Sequence, residues 1–118
     1  MANLAGSADV DFIAKRYEGR PGSERLFSLG KGAEISIEVP YGEMWVRDSE
    51  RPICLVAGGT GIAPILGMLR GLARMSDPRP THVFFGANRR EELVCWDEVI
   101  ALTGALDNGE VTLSLIHI

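Results

Sequence analysis

The junction Ala57-Gly58-Gly59-Thr60-Gly61-Ile62-Ala63-Pro64 constrains this chain more than any other stretch. The run leading into it, Ile53-Cys54-Leu55-Val56-Ala57, is wholly apolar, as expected for a parallel strand covered on both faces. Beyond it, Ile62, Ile65, Leu66, Leu69 and Leu72 recur at helical spacing. A glycine turn between a buried strand and an amphipathic helix is where open α/β sheets bind ligands. A phosphate can approach the backbone closely only where no Cβ intervenes. The free N–H groups of a first helical turn, with the helix dipole, then favour an anion. Pro64 is tolerated there because its missing N–H would have no intrahelical partner. The alternative is a tight strand–helix turn that binds nothing. Gly59-x-Gly61-x-x-Pro64 meets the G-x-G-x-x-G pattern only at its first two glycines. No Gly-Lys-Ser/Thr follows, which excludes a nucleoside-triphosphate P-loop.

The pattern then repeats. Asp77-Pro78-Arg79-Pro80 reads as a loop and residues 82–87 as a second buried strand. Leu93, Trp96, Val99, Ile100 and Thr103 read as a second amphipathic helix, and Asp107-Asn108-Gly109 turns into a third strand from Glu110. Such a βαβαβ run is half of a doubly wound sheet. At the end of the second strand, Gly86-Ala87-Asn88-Arg89-Arg90 stands where an acid holding a ribose is usual. Arg89 and Arg90 could meet a phosphate or an adenine, or form a solvated helix start beside Glu91 and Glu92.

Before residue 48 the pattern is β. Residues 10–14 alternate imperfectly, and Ile35, Ile37 and Val39 alternate cleanly with Glu34, Ser36 and Glu38, the signature of a half-buried antiparallel strand. Between them Ser23 is placed to N-cap a short helix through Leu26 and Phe27. The expected class is therefore β followed by α/β.

Twelve basic against sixteen acidic residues give a net charge of −4. That argues against a nucleic-acid or anionic-membrane binder, which needs a basic surplus. The longest apolar run is far short of the roughly 20 residues of a membrane span, and no signal peptide is visible, so a cytoplasmic location is expected. Cys54 and Cys95 lack ligand-like spacing and are expected to be buried free thiols rather than a disulfide. His82, within a strand, is expected to be structural.

Pro40-Tyr41-Gly42, residues 52–64 and Phe85-Gly86-Ala87-Asn88-Arg89 together resemble the ferredoxin–NADP reductase superfamily. The likeness is nearest to reductase components of ring-hydroxylating dioxygenases of the benzoate dioxygenase reductase kind, and CDP-6-deoxyglucoseen reductases are similar. The resemblance implies an FAD-binding antiparallel β-barrel followed by an NAD(P)-binding domain. It assigns residues 1–48 to the last part of the barrel and 49–112 to the first half of the nucleotide domain. It further implies that Gly58, Gly59, Thr60, Gly61, Ile62, Ala63 and Pro64 line the nucleotide diphosphate and nicotinamide site, with Thr60 near the nicotinamide. Gly86, Ala87, Asn88 and Arg89 would border the adenosine half, and Gly22 and Ser23 would hold the flavin diphosphate. The implied cofactors are FAD and NADH or NADPH, and the implied partner is an iron–sulfur domain or an oxygenase.

The family's Arg-x-Tyr-Ser flavin motif is followed by residues like Met1-Ala2-Asn3, so Met1 is expected to be an internal methionine. Leu113-Ser114-Leu115-Ile116-His117-Ile118 matches one reading frame of a transposon adapter used in DNA library preparation. Residues 113–118 are therefore expected to be a non-native tail, the alternative being a genuine strand over 111–118. The functional expectation is a piece of a flavoenzyme passing hydride from NAD(P)H to FAD and electrons onward. The alternatives are an inactive nucleotide-binding half-module and an electron-transfer subunit of a larger dehydrogenase.

Overall fold

Three short apolar segments line up in parallel because the first two are each followed by a helical connection long enough to return the chain to the same end of the sheet. In the computed structural model, which describes residues 8–39 and 41–116, these are β1 (Ile53–Gly58), β2 (Thr81–Ala87) and β3 (Gly109–Leu115). They form one parallel sheet in the order β1-β2-β3, with Leu55 opposite Val83 and Val83 opposite Val111. Helix α2 (Ile62–Arg74) joins β1 to β2, and α3 (Trp96–Gly104) joins β2 to β3. The core sits between the sheet and these helices. Leu55, Val83 and Phe85 meet Ile62, Ile65, Leu66, Leu69, Leu72 and Val99. Each such fully buried side chain contributes about 1.5–3 kcal/mol by leaving water.

The sequence predicts strands buried on both faces, and the structure corrects this. Val56 is 68% and Phe84 40% exposed, and Cys54 is exposed beside them. Strands laid in the order 1-2-3 with right-handed crossovers receive both helices on one face. A run of apolar residues does not reveal that. The expectation of buried thiols is corrected with it: Cys54 and Cys95 are free, as read, but both are exposed. Cys54 points to the open face. Cys95 adopts φ +57, a left-handed conformation that also delays α3 until Trp96, leaving Leu93 outside the helix.

The chain divides into two units, Ala14–Met44 and Trp45–Ile118 with Met1–Ile13. In the first, α1 spans Pro21–Ser28. The sequence places the cap at Ser23, whereas Arg20 is the N-cap and Pro21 begins the helix, where its fixed φ and missing N–H cost nothing. The Ser23 hydroxyl instead accepts the Tyr17 N–H at 2.8 Å, and Glu24 accepts the Gly19 N–H at 3.0 Å. No strand forms at residues 10–14 or 35–39, and Ile35, Ile37 and Val39 are exposed. The barrel remnant is thus not seen among the described residues. Alternation marks a face, but a strand also needs a neighbour for its N–H and C=O groups.

β3 continues through Leu115, which pairs with Ala87, and the Ile116 N–H reaches the Ala87 carbonyl at 3.1 Å. Met1-Ala2-Asn3, Pro40, His117 and Ile118, on which parts of the sequence reading rest, lie outside the described residues.

The loop between α2 and β2 is fastened by Asp77, whose carboxylate accepts the Arg79 backbone N–H at 3.0 Å and pairs with the Arg79 guanidinium at 2.6 Å. The guanidinium bonds, then the backbone bond, hold the Asp77 carboxyl down at about 2, against an ordinary 3.8. A carboxyl depressed in the folded state contributes stability above its unfolded pKa and loses it as pH falls through the folded value. Asp77→Asn is therefore expected to lower the unfolding midpoint at pH 7, with the difference from wild type shrinking between about pH 4 and pH 2. Thermal unfolding of both proteins across that range checks it; a pH-independent gap would contradict the pairing.

Candidate functional site

β1 ends at Gly58, the backbone makes a 3-10 turn over Gly59–Gly61, and α2 starts at Ile62. Gly59 has φ +51, a conformation favoured by glycine, while Gly61 has an ordinary φ of −62. A Cβ placed on Gly58, Gly59 or Gly61 would meet nothing within 4 Å. No side chain caps the 3-10 turn or the start of α2. The junction is thus an open backbone cradle at the positive end of a 13-residue helix. This is the geometry that accepts a phosphate.

Strand register sets what lies beside it. Gly58 stands opposite Gly86, and Gly86 opposite Ser114. Two glycines side by side leave the carboxyl edge of the sheet free of bulky groups. Of the residues read from the sequence, Gly58, Thr60 and Gly61 are exposed and Gly59 is half-buried. Gly86, Asn88 and Arg89 follow at the neighbouring strand end, with Asn88 and Arg89 exposed. Ile62 and Ala63 differ: their side chains are buried in the core, so only their backbone can face a ligand. Ala87 is also buried. Pro64 is the third residue of α2, in the first turn as expected. Gly22 and Ser23 belong to the other unit, within α1. Ser114, which the sequence reading places in the expected non-native tail, stands exposed at the same edge. The sequence signal that locates it is the alternation of Val111, Leu113 and Leu115 with Thr112 and Ser114, which the structure shows as β3.

The chemistry on offer is binding and orientation. Among the described residues no cluster of His, Cys, Asp or Glu could hold a metal ion. His82 is tied up structurally. Its Nε2 lies 2.8 Å from the Thr112 hydroxyl, its Nδ1 3.3 Å from Glu110, and its ring stacks on Phe84 at 4.2 Å. Among the described residues no helix is long and apolar enough to cross a membrane.

Comparison with known proteins agrees with this geometry. The chain is 41% identical over 108 residues to the ferredoxin–NAD(+) reductase component of the alkene monooxygenase system of Xanthobacter autotrophicus, covering 89% of this chain and 33% of that protein. It is 32% identical to the toluate 1,2-dioxygenase electron transfer component of Pseudomonas putida, covering 92% of this chain and 32% of that one. The chain therefore spans about a third of the length of these relatives. Its fold is similar to part of the flavohemoglobin from Malassezia yamatoensis, a crystal structure with bound FAD and heme. That match has a TM-score of 0.63 at 19% identity and covers 87% of this chain and 27% of that one. Residues 55–117, more than half of the chain, match the family described as the oxidoreductase NAD-binding domain. With its glycine junction at the carboxyl edge of a parallel sheet, the chain belongs to the oxidoreductase NAD-binding domain family.

Proposed function

We propose that this chain carries the pyridine-nucleotide half of a flavin-dependent NAD(P)H reductase whose electrons pass to an iron–sulfur centre or an oxygenase. The observation that carries the reading is the uncapped, open junction Gly58-Gly59-Thr60-Gly61 in a chain of the NAD-binding family. Support comes also from relatives named as reductase or electron-transfer components of monooxygenase and dioxygenase systems. Residues 1–48 then belong to the flavin-binding part and 49–112 to the nucleotide-binding part.

In this reading the backbone N–H groups of the junction hold the nucleotide diphosphate through charge-assisted hydrogen bonds. Ile62 and Ala63, locked in the core, keep the turn rigid, and Pro64 sits in the first turn of α2, where its missing N–H costs no intrahelical bond. Thr60 places its hydroxyl beside the nicotinamide, and Gly86, Ala87, Asn88 and Arg89 border the adenosine half. Gly22 and Ser23 would meet the flavin diphosphate through backbone, since the Ser23 hydroxyl already accepts the Tyr17 N–H and donates its own proton to the Lys15 carbonyl at 3.4 Å. Nicotinamide and flavin supply the hydride and electron chemistry when bound, and the chain's part is to hold and orient them. No general base is required. A cytoplasmic location, with neither nucleic acid nor membrane as partner, belongs to the same reading.

Titration of the isotope-labelled chain with NADH and NADPH tests the site. Amide resonances of Gly58, Gly59, Thr60 and Gly61 and of Gly86, Ala87, Asn88 and Arg89 are expected to shift together. In the full-length protein, stopped-flow mixing with either nucleotide is expected to bleach the flavin. Unmoved junction amides, or a flavin that neither nucleotide reduces, would overturn the proposal.

A further inference from the structure

At the end of the sheet opposite the glycine junction, separated from it by the six residues of β1 and so by about 20 Å, lies Arg79. Every arm of its guanidinium is engaged. Nε donates to both Asp77 carboxylate oxygens at 2.9 and 3.2 Å, and Nη2 donates to Oδ2 at 2.6 Å. Nη1 donates to the backbone carbonyls of Arg47 and Ser49, both at 2.9 Å. The side chains of Arg79 and Asp77 are only 15% and 11% exposed, so this ion pair is shielded, unlike most surface pairs. Beside it, the Ile53 N–H bonds to the Pro80 carbonyl at 2.8 Å, fixing the first residue of β1 to the same loop. The adjoining concavity is lined by three acidic residues, Asp48, Glu50 and Asp77, with Arg79 its one basic residue, a lining that disfavours anions. The arginine is therefore poorly placed to bind a phosphate and well placed to hold backbone.

We propose that Arg79 is a clamp on the connecting segment. It pins the chain at Arg47 and Ser49, so that the stretch joining Ala14–Met44 to the sheet enters β1 along one fixed path. The planar fork of arginine suits this role, because it can satisfy a carboxylate on one edge while an outer nitrogen reaches two carbonyls. The clamp does not depend on the nucleotide-binding proposal.

Limited trypsin digestion of the intact chain tests it. Arg51 and Arg79 each precede proline and resist trypsin, so within this region the Arg47–Asp48 bond is the reporter. Arg25 in α1 and the exposed Arg90 serve as controls. Arg79→Gln is expected to speed cutting after Arg47 on the order of tenfold, with Arg25 and Arg90 cut at wild-type rates. Unchanged cutting after Arg47 overturns the clamp. If Arg79→Gln loosens the whole unit, so that Arg90 is also cut faster, Arg79→Lys decides. Lysine keeps the charge but cannot form the planar pair with Asp77 while reaching both carbonyls. Selective acceleration at Arg47 in that variant supports the clamp; wild-type cutting there, or acceleration at all three sites, overturns it.

Discussion

Gly61→Val in the full-length protein is expected to weaken NADH and NADPH binding on the order of tenfold to a hundredfold while sparing fold and flavin binding. A valine side chain would stand between the amides of the turn and a bound diphosphate, and losing one charge-assisted hydrogen bond costs about 1.5–3 kcal/mol. Gly61 is the clean position for this test. Its φ of −62 suits any L residue, and nothing lies within 4 Å of the added Cβ. Gly59 is not, because its φ of +51 would strain a β-branched side chain whether or not a ligand binds. Thr60→Ala leaves the backbone free. It is expected to lower nucleotide affinity only modestly while slowing flavin reduction through lost positioning. Equilibrium titration gives the dissociation constants, stopped-flow reduction gives the rate, and an unfolding midpoint confirms the fold. An unchanged dissociation constant for Gly61→Val would remove the junction from the binding site.

The junction was legible in the sequence because several local signals coincide there: an apolar run, three glycines, helical spacing and a first-turn proline. The buried stripe Ile62, Ile65, Leu66, Leu69 and Leu72 follows from the same spacing and is found in the core. What could not be read depends on partners distant in sequence. Val56 and Phe84 look like core residues in a one-dimensional pattern, yet both helices cross on the other face. Ile35, Ile37 and Val39 alternate as a strand should, but alternation carries no information about a pairing neighbour. The role of Arg79 was equally hidden, since its carbonyl partners lie 32 and 30 residues away and carbonyls have no sequence signature. Ser23 illustrates a local competition. It suits a cap, but Pro21 takes the first helical position two residues earlier and leaves the hydroxyl to Tyr17.

Gly109→Ala is expected to destabilise the sheet unit strongly, for a reason unrelated to any ligand. The added Cβ would fall inside the contact distance of the Thr103 carbonyl oxygen and lie 3.1 Å from the Leu106 Cβ. Neither neighbour is free to retreat. The Thr103 carbonyl accepts the Leu106 N–H at 3.2 Å, and the Thr103 hydroxyl is itself bonded to the Val99 carbonyl at 2.7 Å. Leu106 is packed in the core. Moving the start of β3 instead would pull on the bond from the Thr81 N–H to the Asn108 carbonyl, at 2.9 Å, which fastens β2 to the same turn. Overpacking against such rigid neighbours costs about 3 kcal/mol, a large part of the 5–15 kcal/mol typical of a whole domain. The unfolding midpoint is expected to fall on the order of 10 °C or more. Gly104→Ala is the control. It lies at the end of α3, nothing stands within 4 Å of its added Cβ, and alanine is the better helix former by about 1 kcal/mol. Chemical and thermal unfolding of the two variants should therefore move in opposite directions. A Gly109→Ala protein as stable as wild type would show that the α3–β3 turn is not packed against Thr103 as described.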